Sequence, residues 1–346
     1  MDEHAIRRAL EGGGGTPGSF FRALLWLPGV AYGCCMRLRR TAYRQGVFAS
    51  GKVDVPVISI GNLSAGGTGK TPFVALLAAE LAQAGRKPGI LLRGYRQTQA
   101  GISDEAELYR RLCPDSMLEV GSDRLLSAKR AMEKGADVLL MDDGFQHLRL
   151  RRNVDIVLID ATSPWAGGNC IPGGLLREPV STLRQADVVV VTRSEQVPRS
   201  AVEKIQQRLC ALAPGALITT ARHKACRLFD LNGKQFPLEL LRGKRVLALS
   251  AIARPESFHA TLEGLGAVLV GTVAGRDHGE FDPLLLESTL QRARSEGATL
   301  VMTEKDHAKQ IFGDSADNSD VWVLGVEQAV DDWAELFARI WTGAGL

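Results

Sequence analysis

The sequence predicts an α/β protein of two Rossmann-like three-layer lobes, joined by a β-hairpin linker and preceded by a membrane-associating helix. Three observations predict it. Short β-branched runs alternate with helical patterns, polar residues close each run, and the pattern restarts after about residue 223. A length of 346 residues is ample for two such domains. The expected boundaries are 1–50 for the helix and its basic segment, 51–223 for the first lobe and 224–346 for the second.

The amino-terminal element comes first. A glycine-rich breaker at 12–18 precedes the apolar stretch 20–36 (FFRALLWLPGVAYGCCM) and the basic run RLRRTAYR. Residues 1–44 carry seven Arg against three acids, a net +4, whereas the whole chain is only +3, leaving −1 for the rest. At roughly 17 residues the stretch sits at the lower limit for a membrane span. Three readings compete: a signal peptide or true span, a helix buried on the body, and an interfacial anchor. In the anchor, Phe20, Phe21, Leu24, Leu25 and Trp26 meet the acyl boundary and the arginines meet anionic lipid. The anchor is favoured, because no clean cleavage site follows and the flanking charge suits a cytoplasmic membrane face. The near-neutral whole excludes a nucleic-acid binder on charge. Six cysteines without a C-x-x-C pair fit reduced thiols rather than zinc or a disulfide framework.

In the first lobe, 55–60 (VPVISI) reads as a buried strand, 72–85 as a helix and 87–92 as a strand. A helix at 123–134 and strands at 137–141, 155–159 and 186–191 complete it. The first strand runs into Ser64, Ala65, Gly66, Gly67, Thr68, Gly69, Lys70 and Thr71. This is a phosphate-binding loop of P-loop NTPase type, with Ser64 where the usual pattern has Gly. The glycines let backbone N–H groups turn toward phosphate oxygens, and the following helix adds its dipole. Lys70 would neutralise β- and γ-phosphate charge, and the Thr71 hydroxyl would ligate Mg²⁺. Asp142 and Asp143 end the strand 137–141, where a carboxylate holds the metal. ATP and Mg²⁺ are the expected ligands. In the second lobe, Asn232-Gly233 between short apolar runs signals a hairpin. Strands at 244–250, 267–272, 299–303 and 321–325 and a helix at 283–295 follow. Thr303-Glu304-Lys305-Asp306 has the wrong order for a guanine-reading element, so GTP is not expected.

These motifs become specific in combination. GNLSAGGTGKTP, RGY, SDE at 103–105, GSDR at 121–124, DDGFQHLRL, IPGGLLREP, RDHGEF and MTEKD occur in that order. Together they closely resemble the tetraacyldisaccharide 4′-kinase (lipid A kinase) family, from about Val55 to Asp306. The resemblance implies transfer of the ATP γ-phosphoryl to the 4′-hydroxyl of an acylated glucosamine disaccharide 1-phosphate. The implied place is the cytoplasmic face of the inner membrane. It further implies Asp104 as catalytic base, with Glu105 beside it and His278 as its partner. Because His278 lies in the second lobe, the pair is expected to meet only on lobe closure. Asp143 belongs to the catalytic set. Arg124, Gln146, His147, Arg177 and Glu178 are implied as substrate or phosphate contacts. Ser103, Arg96, Gly173-Gly174-Leu175 and Gly279 depart from the family pattern beside these positions.

Taken singly, these residues have plainer readings. Asp104 could cap the helix near 105–112 with Glu107, Arg124 could be a solvated helix residue and His278 a surface residue. Two rival classes share the loop: a membrane-associated ATPase switch that passes phosphate only to water, and a non-enzymatic scaffold.

Overall fold

A computed structural model describes residues 15–94, 104–252, 254–275, 281–308 and 321–346. The chain folds as two compact units. The first holds 1–94, 113–222 and 328–346, and the second 95–112 and 223–327.

The first unit is built on β1 (Val57–Asn62), β2 (Pro88–Leu92), β3 (Met117–Val120), β4 (Val138–Asp142), β5 (Val154–Asp160), β6 (Val188–Thr192) and the start of β7 (Leu217–Asp230). The order is β7-β6-β5-β1-β4-β2-β3, and every pair is parallel. All six residues of β1 are buried, as a strand covered on both faces requires. Register partners share a face. Ser59, Leu139, Met141, Val157 and Ile159 therefore look toward α4 (Arg124–Glu133) and α5 (Arg199–Leu212). The opposite face packs under α2 (Lys70–Gln83) and α9 (Trp333–Ala344). Parallel strands place Thr192, Asp160, Asn62 and Asp142 together at one end of the sheet, the end where α/β proteins bind ligands.

The second unit carries β9 (Arg245–Ser250), β10 (Val268–Ala274), β11 (Thr299–Thr303) and β12 (Val321–Val330) in the parallel order β10-β9-β11-β12. The far end of β7 pairs antiparallel with β8 (Gln235–Phe236), so a hairpin stands at 228–236. Odd and even positions separate into two cores. Ala248, Val301 and Leu324 pack with α6 (Pro255–Gly264), and Leu249, Met302 and Val323 pack with α7 (Pro283–Ser295).

Two expected boundaries differ from this division. Residues 328–346 group with the first unit, because α9 packs on β1 and β5 and Trp333 meets Phe73 edge-on. The helix α3 (Asp104–Leu112) groups with the second unit, because it packs beside α8 (Glu304–His307). The expected first lobe, 51–223, included Asp104, whereas the structure groups its helix with 223–327.

The amino-terminal helix α1 spans Gly15–Arg44 and continues through Pro28. Gly29, Gly33 and Arg40 are buried and Met36 is half-buried, spacings of four, three and four that trace one helical stripe. A Cβ at Gly29 would lie 2.6 Å from the Cys170 carbonyl oxygen, so glycine sets how closely α1 seats on the body. Leu24, Trp26, Leu27, Val30 and Leu38 are exposed. Among the described residues no helix is long and apolar enough to cross a membrane.

Candidate active site

The loop between β1 and α2 is held from the strand ends beneath it. Asn62, fully buried, donates from Nδ2 to the carbonyls of Ser64 (2.9 Å) and Gly66 (3.2 Å). From β6, Thr192 Oγ1 donates to the Thr68 carbonyl (2.8 Å), and the next residue, Arg193, to that of Gly67 (3.0 Å). Arg193 is itself paired with Asp160 at the end of β5. The Ala65 N–H donates to the Leu175 carbonyl, and the Arg177 N–H to that of Leu63. Four loop carbonyls are thus tied to strand-end side chains, which fixes the backbone as a preorganised anion cradle requires. Gly66 (φ 132°) and Gly69 (φ 84°) adopt the positive φ that favours glycine. Gly69 caps α2 without a side-chain hydrogen bond, so the helix dipole faces the loop.

Lys70, Asp143 and Arg177 meet here. Lys70 Nζ donates to Asn62 Oδ1 (3.1 Å) and lies 3.3 Å from Asp143 Oδ1, an ion-pair contact without hydrogen-bond geometry. Arg177 Nη1 donates to Asp143 Oδ2 at 2.7 Å. Burial alone would raise the Asp143 carboxyl, but the Lys70 and Arg177 charges hold it far below the usual carboxylate range. Asp143 adopts φ 52°, and its N–H donates to Asp142 Oδ1.

The other expected residues have different settings. Arg124 is buried rather than solvated, and its guanidinium donates to the carbonyls of Gly121 and Asp142, bracing the end of β4. Its neighbour Asp123 caps α4. Gln146 Nε2 donates to the Asn62 carbonyl (2.9 Å). Burial, then the nearby Arg124 and Arg152, lower His147 to about 4, so it is neutral at pH 7. Glu178 is fully buried, and its Oε2 is paired with Arg40 of α1. Glu105 is half-buried on α3 of the second unit, and Glu107 pairs with Arg110 and Arg111. His278 and the side chain of Asp104 lie outside the described residues.

The oxygen donors fit a hard divalent cation beside a triphosphate. Thr71 offers a hydroxyl and Asp142 and Asp143 offer carboxylates at the strand end, and among the described residues buried Thr68 Oγ1 and Asp143 Oδ1 have no hydrogen-bond partner. Sequence reasoning left three supports unassigned: Asn62, Arg193 and Arg40. Asn62 and Arg193 had a signal, being polar at strand ends. Arg40 was indistinguishable within its basic run.

Known proteins resemble this chain over most of its length. The family model described as tetraacyldisaccharide-1-P 4′-kinase matches residues 21–343. The tetraacyldisaccharide 4′-kinase of Halothermothrix orenii is 32% identical, with 88% of each chain covered. That of Syntrophus aciditrophicus is 38% identical, with 84% of each covered. Among solved structures, LpxK from Aquifex aeolicus in complex with ATP superposes with a TM-score of 0.74 at 27% identity, covering 94% of this chain and 99% of that one. A match along nearly the whole chain, and not the loop alone, is what separates one kinase family from P-loop proteins at large, and the chain belongs to the tetraacyldisaccharide-1-P 4′-kinase family.

Proposed function

We propose that this chain transfers the γ-phosphoryl group of ATP to the 4′-hydroxyl of a tetraacylated glucosamine disaccharide 1-phosphate in lipid A synthesis, at the cytoplasmic face of the inner membrane. The observation that carries the reading is the Lys70–Asp143–Arg177 cluster at the mouth of a glycine loop fixed from the strand ends beneath it.

Phosphoryl transfer depends on positioning and charge neutralisation. Lys70 exchanges its contact with Asp143 for the β- and γ-phosphates. Arg177 sits where it can follow charge onto the transferring group. Thr71, Asp142 and Asp143 are the residues that would hold Mg²⁺, which supplies electrostatic stabilisation of the phosphate oxygens. Asp104 accepts the proton of the 4′-hydroxyl as its oxygen bonds to phosphorus and the bond to the ADP oxygen breaks; His278 orients that carboxylate. Arg124 and Gln146 keep the acidic strand end and Asn62 in register, and His147 stays neutral beside them.

The exposed Leu24, Trp26, Leu27 and Leu38, beside exposed Arg37 and Arg44, suit α1 to lie in the headgroup layer. The test is a transfer assay with γ-³²P-labelled ATP and the acylated disaccharide 1-phosphate. Label on the lipid is expected, with Asp104→Ala losing transfer while retaining nucleotide binding. Label appearing only as inorganic phosphate would favour the ATPase switch. An Asp104→Ala enzyme at wild-type rate would remove Asp104 as base.

A further inference from the structure

Residues 37–44 read in sequence as charge for anionic lipid. The structure separates one of them from that role. Arg40 closes the buried stripe of α1 and its side chain is 2% exposed. Its Nε and Nη2 donate to Glu178 Oε2 at 2.9 and 2.7 Å, Nη2 also to the Phe145 carbonyl at 2.7 Å, and Nη1 to Gln185 Oε1 at 2.8 Å. The guanidinium lies over the Phe145 ring, 4.1 Å from its centroid. Its neighbour Arg39 donates to the Gln146 carbonyl at 3.1 Å.

The partners define what this does. Phe145 is two residues after Asp143, and Glu178 is one after Arg177. Asp143 and Arg177 form the ion pair at the expected metal position. Arg40 thus joins, from behind, the two segments whose front residues meet over the nucleotide loop. Asp143 stands at positive φ, so its carboxylate direction depends on how the following residues are held. A planar five-donor fork can bridge a carbonyl, a carboxylate and an amide at once; an ammonium cannot reproduce that geometry. Among the described residues, Arg40 is the ion-pair partner of buried Glu178.

We infer that Arg40 is a positioning residue for phosphoryl transfer: the amino-terminal helix supplies a buried clamp that aims Asp143 and Arg177, in addition to any contact it makes with lipid. This rests on the kinase reading above. It differs from a purely structural role in predicting a loss in metal–nucleotide geometry and kcat, beyond any loss in stability.

The experiment uses full-length protein in detergent micelles, with Arg40→Met and Arg40→Lys. Binding of Mn²⁺ together with a nonhydrolysable ATP analogue is followed by electron paramagnetic resonance, and kcat and KM by lipid phosphorylation. For Arg40→Met, kcat and ternary Mn²⁺ affinity should each fall about tenfold or more, with a smaller change in KM for the lipid, as expected when reacting groups are displaced by about 1 Å. Arg40→Lys should fall between, with an altered Mn²⁺ spectrum. A folded Arg40→Met whose kcat and Mn²⁺ affinity stay within about twofold of wild type, even with a lowered thermal midpoint, overturns the inference. If Arg40→Met does not fold, Arg40→Lys decides: wild-type values there overturn it equally. Wild-type protein that fails to phosphorylate the lipid would sink the kinase reading instead, and the Mn²⁺ measurement would still judge the clamp.

Discussion

At the carboxyl end of the first unit's sheet, Thr192, Asp160, Asn62 and Asp142 close four adjacent parallel strands, and polar side chains there reach outward to brace a loop and its lysine. At the same end of the second unit's sheet, Ser250 and Thr303 close β9 and β11, and the polar groups turn inward. Fully buried Asp306 accepts from Thr303 Oγ1 (2.6 Å) and from the Ala251 N–H (3.0 Å). Two sheets of the same parallel construction therefore differ in what the polar groups at their ends hold. One end fixes a glycine backbone and gathers two cations around one carboxylate. The other fixes its own strand-to-helix turns. Architecture supplies the ledge, and the loop chemistry decides whether a triphosphate can use it.

The largest effect that could break this contrast is at Lys70. Lys70→Ala should lower kcat/KM for ATP by about 10²-fold or more, since a preorganised charge at the transferring group is lost. Unchanged nucleotide affinity, measured by calorimetry, would discredit the loop assignment. Asp306→Ala should do the reverse. It leaves buried donors unsatisfied and should cost about 2 kcal/mol or more in denaturant unfolding. If it instead weakened ATP binding without loss of stability, the second sheet end would not be a purely structural one.

A smaller effect sharpens the electrostatics. His147 is lowered to about 4 in the fold, against an ordinary 6.5. Between those values the unfolded chain binds a proton that the folded chain does not, so stability falls as pH drops through that window. His147→Gln should flatten the slope there; an unchanged slope would mean that His147 is not held neutral. The smallest effect expected in detergent is that of Leu27→Glu, on the exposed face of α1. It should weaken flotation with anionic vesicles while leaving micellar activity within about twofold, because surface changes away from packed contacts seldom perturb the fold. Full vesicle binding by that variant would place the lipid contact elsewhere.

Much of this was legible in the sequence for local reasons. The run from Val57 to Thr71 encodes strand, turn and helix in adjacent residues, and the glycines mark where φ must be positive. Strand ends at Asp142, Asp160 and Thr192 could be read from β-branched runs that stop at polar residues. The allegiance of α3 could not, because packing beside Glu304–His307 joins residues nearly two hundred positions apart. Nor could the fate of Arg40. RLRR looks uniformly basic until Gly29, Gly33 and Met36 reveal which side of the helix faces inward. The plainer reading of Arg124 as solvated failed for a similar reason: a first-turn arginine beside a capping Asp looks exposed, and only the end of β4 beneath it supplies a carbonyl to bury it against.

The seating of α1 bears on how the protein can be made easier to handle. Its greasy outer side and its inner stripe interleave within the same thirty residues. Deleting the helix to gain solubility would discard the arginine that joins the Phe145 and Glu178 segments. Recolouring only Leu24, Trp26, Leu27 and Leu38 with polar side chains would leave Gly29, Gly33 and Arg40 docked, and should yield a water-loving enzyme whose chemistry is intact.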